Sequence, residues 1–247
     1  MCKKHVLYQY IWDFLNNAYY YVHFKHRRIL KSYKNKHHGE RCFIIGNGPS
    51  LTIADLECLK NEKTMVANSI IKIFDDLSFT PTYYFAQDAT IIKDNADFIN
   101  NRKNITKFTR AFYNKKRYPL KDTINYIVFS PKIGFSNNIP CGVYNGWAVT
   151  YSMIQFAVYM GFSEIYLLGV DFNYTNNNTE VNAACYFDNR LYNNNLAYAL
   201  PKPEVTLASY QTAREYCKNN NIKIYNATRG GMLEVFDRIN FDEIIKK

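Results

Sequence analysis

The chain has 247 residues, a net charge of +10 and a hydrophobic content of 47%. This length and composition suffice for one sizeable packed core, so they exclude a globally disordered chain. The six cysteines include no C-x-x-C pair, which favours reduced, buried thiols in a cytoplasmic protein. The N-terminal apolar stretch has no small-residue cleavage site, so we expect no signal peptide.

Residues 1–40 form a basic, aromatic arm. They hold eight lysines and arginines against two acids, so the arm carries +6 of the net charge. Apolar residues at helical spacing over residues 5–33, interrupted by polar ones, predict a helix that is too polar to span a membrane. This helix either lies on an anionic membrane surface or packs on the domain or on a second subunit. The charge comes without a nucleic-acid-binding motif, so we expect no nucleic-acid partner.

From residue 41 to residue 247, short apolar runs alternate with helical stretches, after a linker at residues 36–39. The alternation predicts an α/β domain with a Rossmann-like, mostly parallel sheet flanked by helices. The predicted strands are Cys42–Ile45, Thr64–Ala67, Thr82–Ala86, Tyr126–Phe129, Ile165–Leu168 and Ile222–Tyr225. The predicted helices are Thr52–Lys60, Ile91–Ile99, Trp147–Met160, Pro203–Asn219 and Phe241–Lys247. Residues 173–202 are rich in Asn and Tyr without periodicity, which is typical of a lid or of a disordered segment.

A glycine-rich turn follows the first predicted strand. It consists of Gly46, Asn47, Gly48, Pro49 and Ser50. Ser50 or Thr52 is expected to cap the next helix, and free N–H groups at a helix start suit a phosphate. The turn lacks both the third glycine of the dinucleotide fingerprint and the Gly-Lys-Ser/Thr of a P-loop, so it specifies neither NAD nor a P-loop nucleotide.

Short polar residues follow five of the predicted strands. The carboxyl ends of parallel strands meet at one edge of a sheet, where ligands bind in open α/β folds. We therefore expect a binding site on this edge. Its members are Asn47, Asn68, Asp88, Asp171, Asn226 and Thr228.

The chemistry of these side chains limits the ligand. Asn47 and Asn68 donate and accept, which suits ribose hydroxyls, a base edge or a sugar. Asp88 and Asp171 can accept from hydroxyls or hold a divalent cation, but two lone aspartates on separate strands are weak evidence for a metal site, and we predict none. Thr150, early in its predicted helix, offers a hydroxyl beside free N–H groups.

Histidines are confined to the arm, where all five precede residue 41. A Ser-His-Asp triad in the domain would therefore need the arm to fold over it. A general base must be Asp, Glu or Tyr, or a histidine that the arm delivers.

The motifs resemble those of the MptE-like family, which includes archaeal hydroxymethylpterin pyrophosphokinases and bacterial motility accessory factors thought to transfer nonulosonic acids. The resemblance covers most of residues 41–242. It is carried by the turn Phe43–Leu51, Asn68, Asp88, the run Val149–Asp171 and the segment Tyr225–Gly231. Part of the pattern is similar to small bacterial lipo-oligosaccharide sialyltransferases.

The sialyltransferase resemblance implies that Asn47, Asn68 and Thr150 touch a CMP-sugar and that Asp171 lies near the ribose. It also implies that lid tyrosines hold the leaving phosphate without a metal, and the tyrosines present are Tyr174, Tyr186 and Tyr192. The sialyltransferases use a lid histidine as general base, which this chain replaces with Cys185-Tyr186-Phe187-Asp188. Asp188 or Asp88 is then the substitute base.

Three functions follow from these patterns. The first is a glycosyltransferase that uses a nucleotide-activated sugar, a CMP-linked sialic or other nonulosonic acid above all, with a bacterial surface glycan or its lipid-linked precursor as acceptor. The second is a pyrophosphokinase with ATP and Mg²⁺ on Asp88 and Asp171. The third is a non-catalytic module that binds a nucleotide or a partner protein. For the first we expect no required cofactor and a cytoplasmic enzyme that is peripheral on the inner membrane through its arm, with a homo-oligomer left open.

Overall fold

The computed structural model describes residues 24–111, 120–129, 132–173, 181–196 and 201–246. Within these residues eight strands form one sheet in which every paired neighbour is parallel. The strands in chain order are β1 (Arg41–Ile45), β2 (Thr64–Ala67), β3 (Tyr83–Ala86), β4 (Thr106–Arg110), β5 (Thr123–Tyr126), β6 (Val128–Phe129), β7 (Val143–Tyr144), β8 (Glu164–Leu168), β9 (Lys223–Asn226) and β10 (Asp237–Arg238). β6 and β7 pair separately. The predicted Rossmann-like α/β fold is confirmed.

Helices connect the strands and cover the sheet. They are α1 (Phe24–Lys31), α2 (Ile53–Glu57), α3 (Ala89–Asp94), α4 (Ala96–Asn101), α5 (Val149–Met160), α6 (Pro203–Asn219) and α7 (Phe241–Ile245), with a 3-10 helix at Asn68–Asp76. Ten of the twelve residues of α5 are buried, so this helix lies inside the protein and its sequence is apolar on all sides.

The strand order places a topological switch between β8 and β1. The order is β10-β9-β8-β1-β2-β3-β4-β5, so the chain runs outward from β1 to β5 and then crosses to β8 on the other side. In open α/β sheets the ligand crevice lies outside the carboxyl ends of the strands at such a point. The fold therefore places the expected site at the ends of β1 and β8.

Both faces of the sheet are buried, as parallel sheets require. In β1, Cys42 and Ile44 face one core, while Phe43 and Ile45 face the other. The buried run Cys-Phe-Ile-Ile is therefore explained by helices on both sides of the sheet.

The arm and the linker differ in part from expectation. Residues 1–23 lie outside the described residues, but Leu30 and Tyr33 are buried in the core beside β5. The predicted linker at residues 36–39 is built into the fold, because the His37 ring stacks on Phe162 and bonds to the Tyr83 hydroxyl at 2.7 Å. This part of the arm thus packs on the domain, which was one of the two interpretations of the helix.

β4 was not predicted, because Phe108 is the only apolar residue among its five. Lys107 is 1% exposed, and its ammonium donates to the main-chain carbonyls of Ile99 and Arg102 at 2.9 and 2.7 Å. The ammonium thus satisfies carbonyls at the end of α4, and burial lowers its pKa.

The expectation of buried thiols holds for Cys42 and Cys217 only. Cys58 and Cys185 are exposed, and the five described cysteines are all free. Within the described residues, every helix is too short or too polar to span a bilayer.

Candidate functional site

The turn after β1 packs directly against the turn after β8. The Gly46 N–H bonds to the Leu168 carbonyl at 2.8 Å, and the Gly48 N–H bonds to the Gly169 carbonyl at 2.9 Å. A Cβ on Gly46 would overlap the Gly169 carbonyl, and one on Gly48 would overlap the Asp171 carboxylate. Both glycines are therefore required for this close approach of the two turns.

The start of α2 is already satisfied by the protein. Thr52 caps the helix and forms a capping box with Asp55, so the choice between Ser50 and Thr52 falls to Thr52. Arg229 pairs with the buried Asp55 carboxylate. These contacts occupy the helix start and leave Ser50 free to contact Asp171.

Asp171 is the buried carboxylate of the site. It is 6% exposed and accepts a hydrogen bond from the Ser50 hydroxyl at 2.9 Å. Burial raises the pKa of this carboxyl, while the bond from Ser50 opposes the rise. Gly231 packs on the Asp171 main chain, and the Met232 N–H bonds to the Asp171 carbonyl at 2.7 Å. The loop after β9 thus holds Asp171 from the other side.

Asn47 and Asn68 supply two buried acceptors without partners. The amide oxygen of each is buried and makes no hydrogen bond. The Asn47 side-chain nitrogen donates to the Ala67 carbonyl at 3.3 Å, which ties the end of β1 to the residue before Asn68. Asn68 has a φ of +58°, a conformation that asparagine tolerates better than most residues. Buried polar atoms are normally paired, so these two oxygens suit the donors of a ligand.

Asn226 and Thr228 serve the fold. Asn226 is 1% exposed, and its amide donates to the Leu233 carbonyl at 2.8 Å and accepts from the Thr228 N–H at 3.0 Å. The Thr228 hydroxyl accepts from the Val170 N–H at 3.1 Å. Both residues therefore shape the loop that supports Asp171, and their side chains are occupied.

Thr150 is also occupied by the protein. It is 7% exposed, and its hydroxyl is hydrogen-bonded to that of Tyr210. This bond fastens α5 to α6. The structure thus gives Thr150 a packing role. A direct contact between its hydroxyl and a ligand would require the hydrogen bond to Tyr210 to break.

Asp88 caps α3. Its Oδ1 accepts from the N–H groups of Thr90 and Ile91 at 2.8 and 3.0 Å. Asp88 lies three strands away from Asp171 in the sheet, which corresponds to about 14 Å between strand ends. The two carboxylates therefore do not converge on one point as the backbone stands.

Asp188 is held by an arginine. The Arg190 guanidinium donates to its two carboxylate oxygens at 2.9 and 2.6 Å and lowers the pKa of this carboxyl. Arg190 also pairs with Asp76. A carboxylate with a lowered pKa is a weak proton acceptor, so this placement does not favour Asp188 as general base.

The described part of the predicted lid lies against the site. The Phe187 N–H bonds to the Asn47 carbonyl at 3.2 Å, and Leu191 is fully buried in the core. The Tyr186 ring lies 6.0 Å from the Tyr192 ring. Tyr174, another tyrosine of the predicted lid, lies outside the described residues. In the turn after β1, Pro49 is exposed. The lid therefore places Tyr186 near the turn after β1.

The sequence analysis missed a polar cluster beside Asp88. Buried Gln87 donates to the Asn145 side chain at 2.5 Å and accepts from the Ser152 hydroxyl at 2.6 Å. This cluster joins the end of β3 to the start of α5. The signal was a polar residue directly after an apolar strand, which the pattern assigned to the turn alone.

No group of three or more histidine, cysteine, aspartate or glutamate side chains within the described residues is arranged to hold a metal ion. The arrangement can instead accept hydrogen bonds from a polyhydroxylated ligand at the switch between β1 and β8.

The model of the family described as 6-hydroxymethylpterin diphosphokinase MptE-like matches residues 13–177. The chain belongs to the MptE-like family. The match confirms the resemblance seen in the motifs, and it begins inside the arm.

Two solved structures are similar to this member of the MptE-like family. A MAf glycosyltransferase from Magnetospirillum magneticum AMB-1 aligns with a TM-score of 0.57 and 17% identity over 89% of this chain and 38% of that chain. The sialyltransferase CstII from Campylobacter jejuni, in complex with cytidine-5'-monophosphate, aligns with a TM-score of 0.43 and 14% identity over 80% of this chain and 84% of that chain. The chain thus spans well under half the length of the MAf protein. No curated protein matches the sequence.

Proposed function

We propose that this protein is a glycosyltransferase that uses a nucleotide-activated sugar. The observation that carries the proposal is the pair of buried, unpartnered amide oxygens of Asn47 and Asn68 beside the buried Asp171 carboxylate. The similar fold of a MAf glycosyltransferase supports the class of enzyme.

The acceptor atoms of this site match the hydroxyls of a nucleoside. Neighbouring strands lie about 4.8 Å apart, so the ends of β1, β2 and β8 fall within the span of a ribose and its base. Ribose hydroxyls or an exocyclic amine would donate to Asn47 and Asn68, and Asp171 would accept from a further hydroxyl. Each bond to Asn47 or Asn68 would satisfy an acceptor that the protein leaves unpaired.

The donor is proposed to be a CMP-linked sialic or other nonulosonic acid. This assignment rests on the resemblance of the turn Gly46–Leu51 and the run Met160–Phe172 to the sialyltransferase motifs. The acceptor would be a bacterial surface glycan, such as a lipo-oligosaccharide or capsule precursor. The proposed mechanism needs no cofactor.

The reaction needs a proton acceptor and stabilisation of the leaving phosphate. Asp88 is the stronger candidate for general base, because Arg190 already pairs with Asp188. Tyr186, on the segment that contacts Asn47, is the candidate donor to the leaving phosphate. Closure of the remaining lid over the donor would exclude water.

The arm is proposed to keep the enzyme at the anionic face of the inner membrane. Lys25, Arg28, Lys31 and Lys34 are exposed, whereas Leu30 packs into the core. An exposed basic face beside an aromatic segment suits acidic lipid headgroups. Binding to vesicles with and without anionic lipid tests this part separately.

The experiment that tests the function is a thermal-shift panel of CMP, CDP, UDP, GDP and ATP with and without Mg²⁺. We expect CMP to raise the melting temperature without a metal. An Asn47→Ala variant should lose the shift, and an Asn100→Ala variant, away from the site, should keep it. A wild-type protein that responds to no nucleotide would overturn the proposal.

A pyrophosphokinase is the second candidate, because the description of the family names that activity. It would use ATP with Mg²⁺ near Asp88 and Asp171, and the spacing of β3 and β8 would require one loop to move. Stabilisation by ATP that a chelator removes would favour it. A bound nucleotide without turnover of any donor would favour the non-catalytic module.

A further inference from the structure

The loop before α5 contains a tryptophan in an unusual backbone conformation. Gly146 and Trp147 have φ values of +56° and +55°. Glycine adopts this region readily, but a bulky aromatic residue is disfavoured there. Such strain persists where the surrounding structure enforces it, and it is concentrated at functional sites.

The surroundings of Trp147 enforce this conformation from both sides. Asn145 accepts from the Gln87 side chain at 2.5 Å, which ties the loop to the end of β3. On the other side, Gly146 packs so closely on the Tyr151 ring that a Cβ would overlap it. The backbone that leads into Trp147 is therefore held by the polar cluster beside Asp88 and by the Tyr151 ring.

A lysine lies over the indole. The Lys202 ammonium is 3.9 Å from the centroid of the Trp147 ring, and Lys202 is exposed. Arg190 and Arg229 are both engaged by carboxylates, whereas Lys202 makes no ion pair within the described part of the chain. The ring fixes the position of this ammonium without neutralising it.

The position of Lys202 relative to α5 is fixed by the core. Lys202 directly precedes α6, and the bond between the hydroxyls of Tyr210 and Thr150 joins α6 to α5. The N-cap of α5 is Ala148, whose methyl side chain cannot accept a hydrogen bond from the first N–H groups. The positive end of α5 therefore follows Trp147 in the chain without a side-chain cap, and the Lys202 ammonium lies over the Trp147 ring.

We propose that Lys202, positioned by Trp147, binds an anionic group of the donor: the carboxylate of an acidic sugar or a phosphate of the nucleotide. This inference rests on the proposed function, since it names the chemical class of the sugar or the phosphate contact. A carboxylate held there would gain a charge-assisted bond that a neutral sugar cannot make.

The test measures dissociation constants by calorimetry for CMP, a non-hydrolysable CMP-linked sialic acid and its analogue with the carboxylate reduced to an alcohol. Lys202→Met should raise the dissociation constant of the CMP-linked sialic acid about tenfold, as expected for loss of one charge-assisted bond. If the carboxylate is the partner, CMP and the reduced analogue will be unaffected. If a phosphate is the partner, all three ligands will weaken together.

Two further variants separate recognition from folding. Trp147→Gly suits the left-handed backbone, so it should keep the fold and weaken the acidic ligand by about threefold through loss of the ring. Lys218→Met, in the last turn of α6, removes an exposed lysine and should change no affinity. Lys202→Arg should retain most of the affinity for the acidic ligand.

A fluorescence titration distinguishes failure of this inference from failure of the proposed function. In a Trp12→Phe background, free sialic acid or inorganic phosphate should change the emission of Trp147, and Lys202→Met should abolish the change. Unaltered emission together with unaltered affinity in Lys202→Met would overturn the inference. A protein that binds no nucleotide but keeps the emission change would overturn only the proposed function.

Discussion

Asn and Asp residues lie both at the centre and on the flanks of the sheet edge formed by the carboxyl ends of the strands, but they have different roles in the two places. At the centre, around β1, β2 and β8, the amide oxygens of Asn47 and Asn68 have no partner, and Asp171 is buried with a raised pKa. At the flanks, Asp88 caps a helix and Asn226 closes a loop with two hydrogen bonds. A polar side chain whose bonds are satisfied by backbone groups stabilises the fold, whereas one left unsatisfied is available to a ligand.

The difference follows from where the hydrogen-bond partners lie. At the centre, the turns after β1 and β8 bond to each other through their backbones and the Ser50 hydroxyl reaches Asp171, but no donor of the described residues reaches the amide oxygens of Asn47 and Asn68. On the flanks, backbone groups of neighbouring residues engage Asp88 and Asn226. Five predictions can break or sharpen this contrast.

The largest effect is expected at the centre of the edge, from Gly46→Ala. Its Cβ would overlap the Gly169 main chain, so the free energy of unfolding should fall by about 3 kcal/mol. Gly230→Ala is the matched control, because its φ is +72° but nothing lies within 4 Å, and it should cost about 1 kcal/mol. Urea denaturation measures both, and equal losses would contradict the close packing of the two turns.

The paired asparagines give the sharpest test of the contrast. Asn226→Ala leaves buried groups unpaired, so it should lower the free energy of unfolding by about 2 kcal/mol and leave nucleotide affinity nearly unchanged. Asn47→Ala should lower stability by less than about 1 kcal/mol but weaken nucleotide binding about tenfold. Calorimetry and denaturation of both variants decide, and a reversed pattern would remove Asn47 from the site.

Asp171→Asn is expected to separate binding from stability. The folded-state pKa of Asp171 is raised, so the folded chain holds a proton that the unfolded chain releases above its ordinary value of 3.8. Stability should therefore fall as pH rises from 3.8 through the folded-state pKa, and the asparagine variant should lack this fall. At neutral pH the variant should melt at a higher temperature than the wild type and bind nucleotide more weakly. Ser50→Ala, which removes the bond to the carboxylate, should melt lower.

Asp88 combines a flank position with a proposed catalytic role. Asp88→Ala should cost about 1 kcal/mol through loss of the cap, while Asp88→Asn should keep the cap and the stability. If Asp88 is the general base, both variants will lose turnover. Full activity in Asp88→Asn, measured as transfer from the donor, would leave Asp88 with a structural role only.

The smallest effect is expected from Arg190→Ala. Its ion pairs are exposed at the arginine, so the free energy of unfolding should change by less than about 1 kcal/mol. The pKa of Asp188 should rise toward its ordinary range, because the guanidinium that lowers it is gone. Titration of this carboxyl by NMR measures the shift, and an unchanged pKa would mean that a group other than Arg190 lowers it.

Much of the sheet could be predicted from the sequence, because parallel strands buried on both faces produce continuous apolar runs. β2 was predicted with its observed ends, β1, β3 and β8 differ by one residue at one end, and β9 is shifted by one residue at both ends. The predicted strand Tyr126–Phe129 is wrong in its bounds, because it contains the last residue of β5 and all of β6. β4 was missed because Phe108 is the only apolar residue among its five, and β7 and β10 because each is only two residues long. The predicted helix Ile91–Ile99 is two helices, α3 and α4, with Asn95 between them.

The residues of the site were predicted less completely, because sequence position fixes an edge but not a hydrogen-bond partner. Thr150 was expected to face a ligand, yet the hydroxyl of Tyr210, sixty residues away, engages it. Asp188 was one of two candidate bases, with Asp88, and Arg190 engages it two residues on. Asn-Gly-Trp before α5 gave no sign of a strained tryptophan under a lysine.

The sequence by itself determined the parallel sheet, the glycine turn and the edge on which the polar residues lie, since apolar runs and turn residues are local signals. Only the tertiary structure decided which of those residues remain available to a ligand. That outcome depends on whether another group of the protein forms a hydrogen bond with each polar atom. Such groups engage Asn226, Thr228 and Thr150, whereas the amide oxygens of Asn47 and Asn68 remain unpaired.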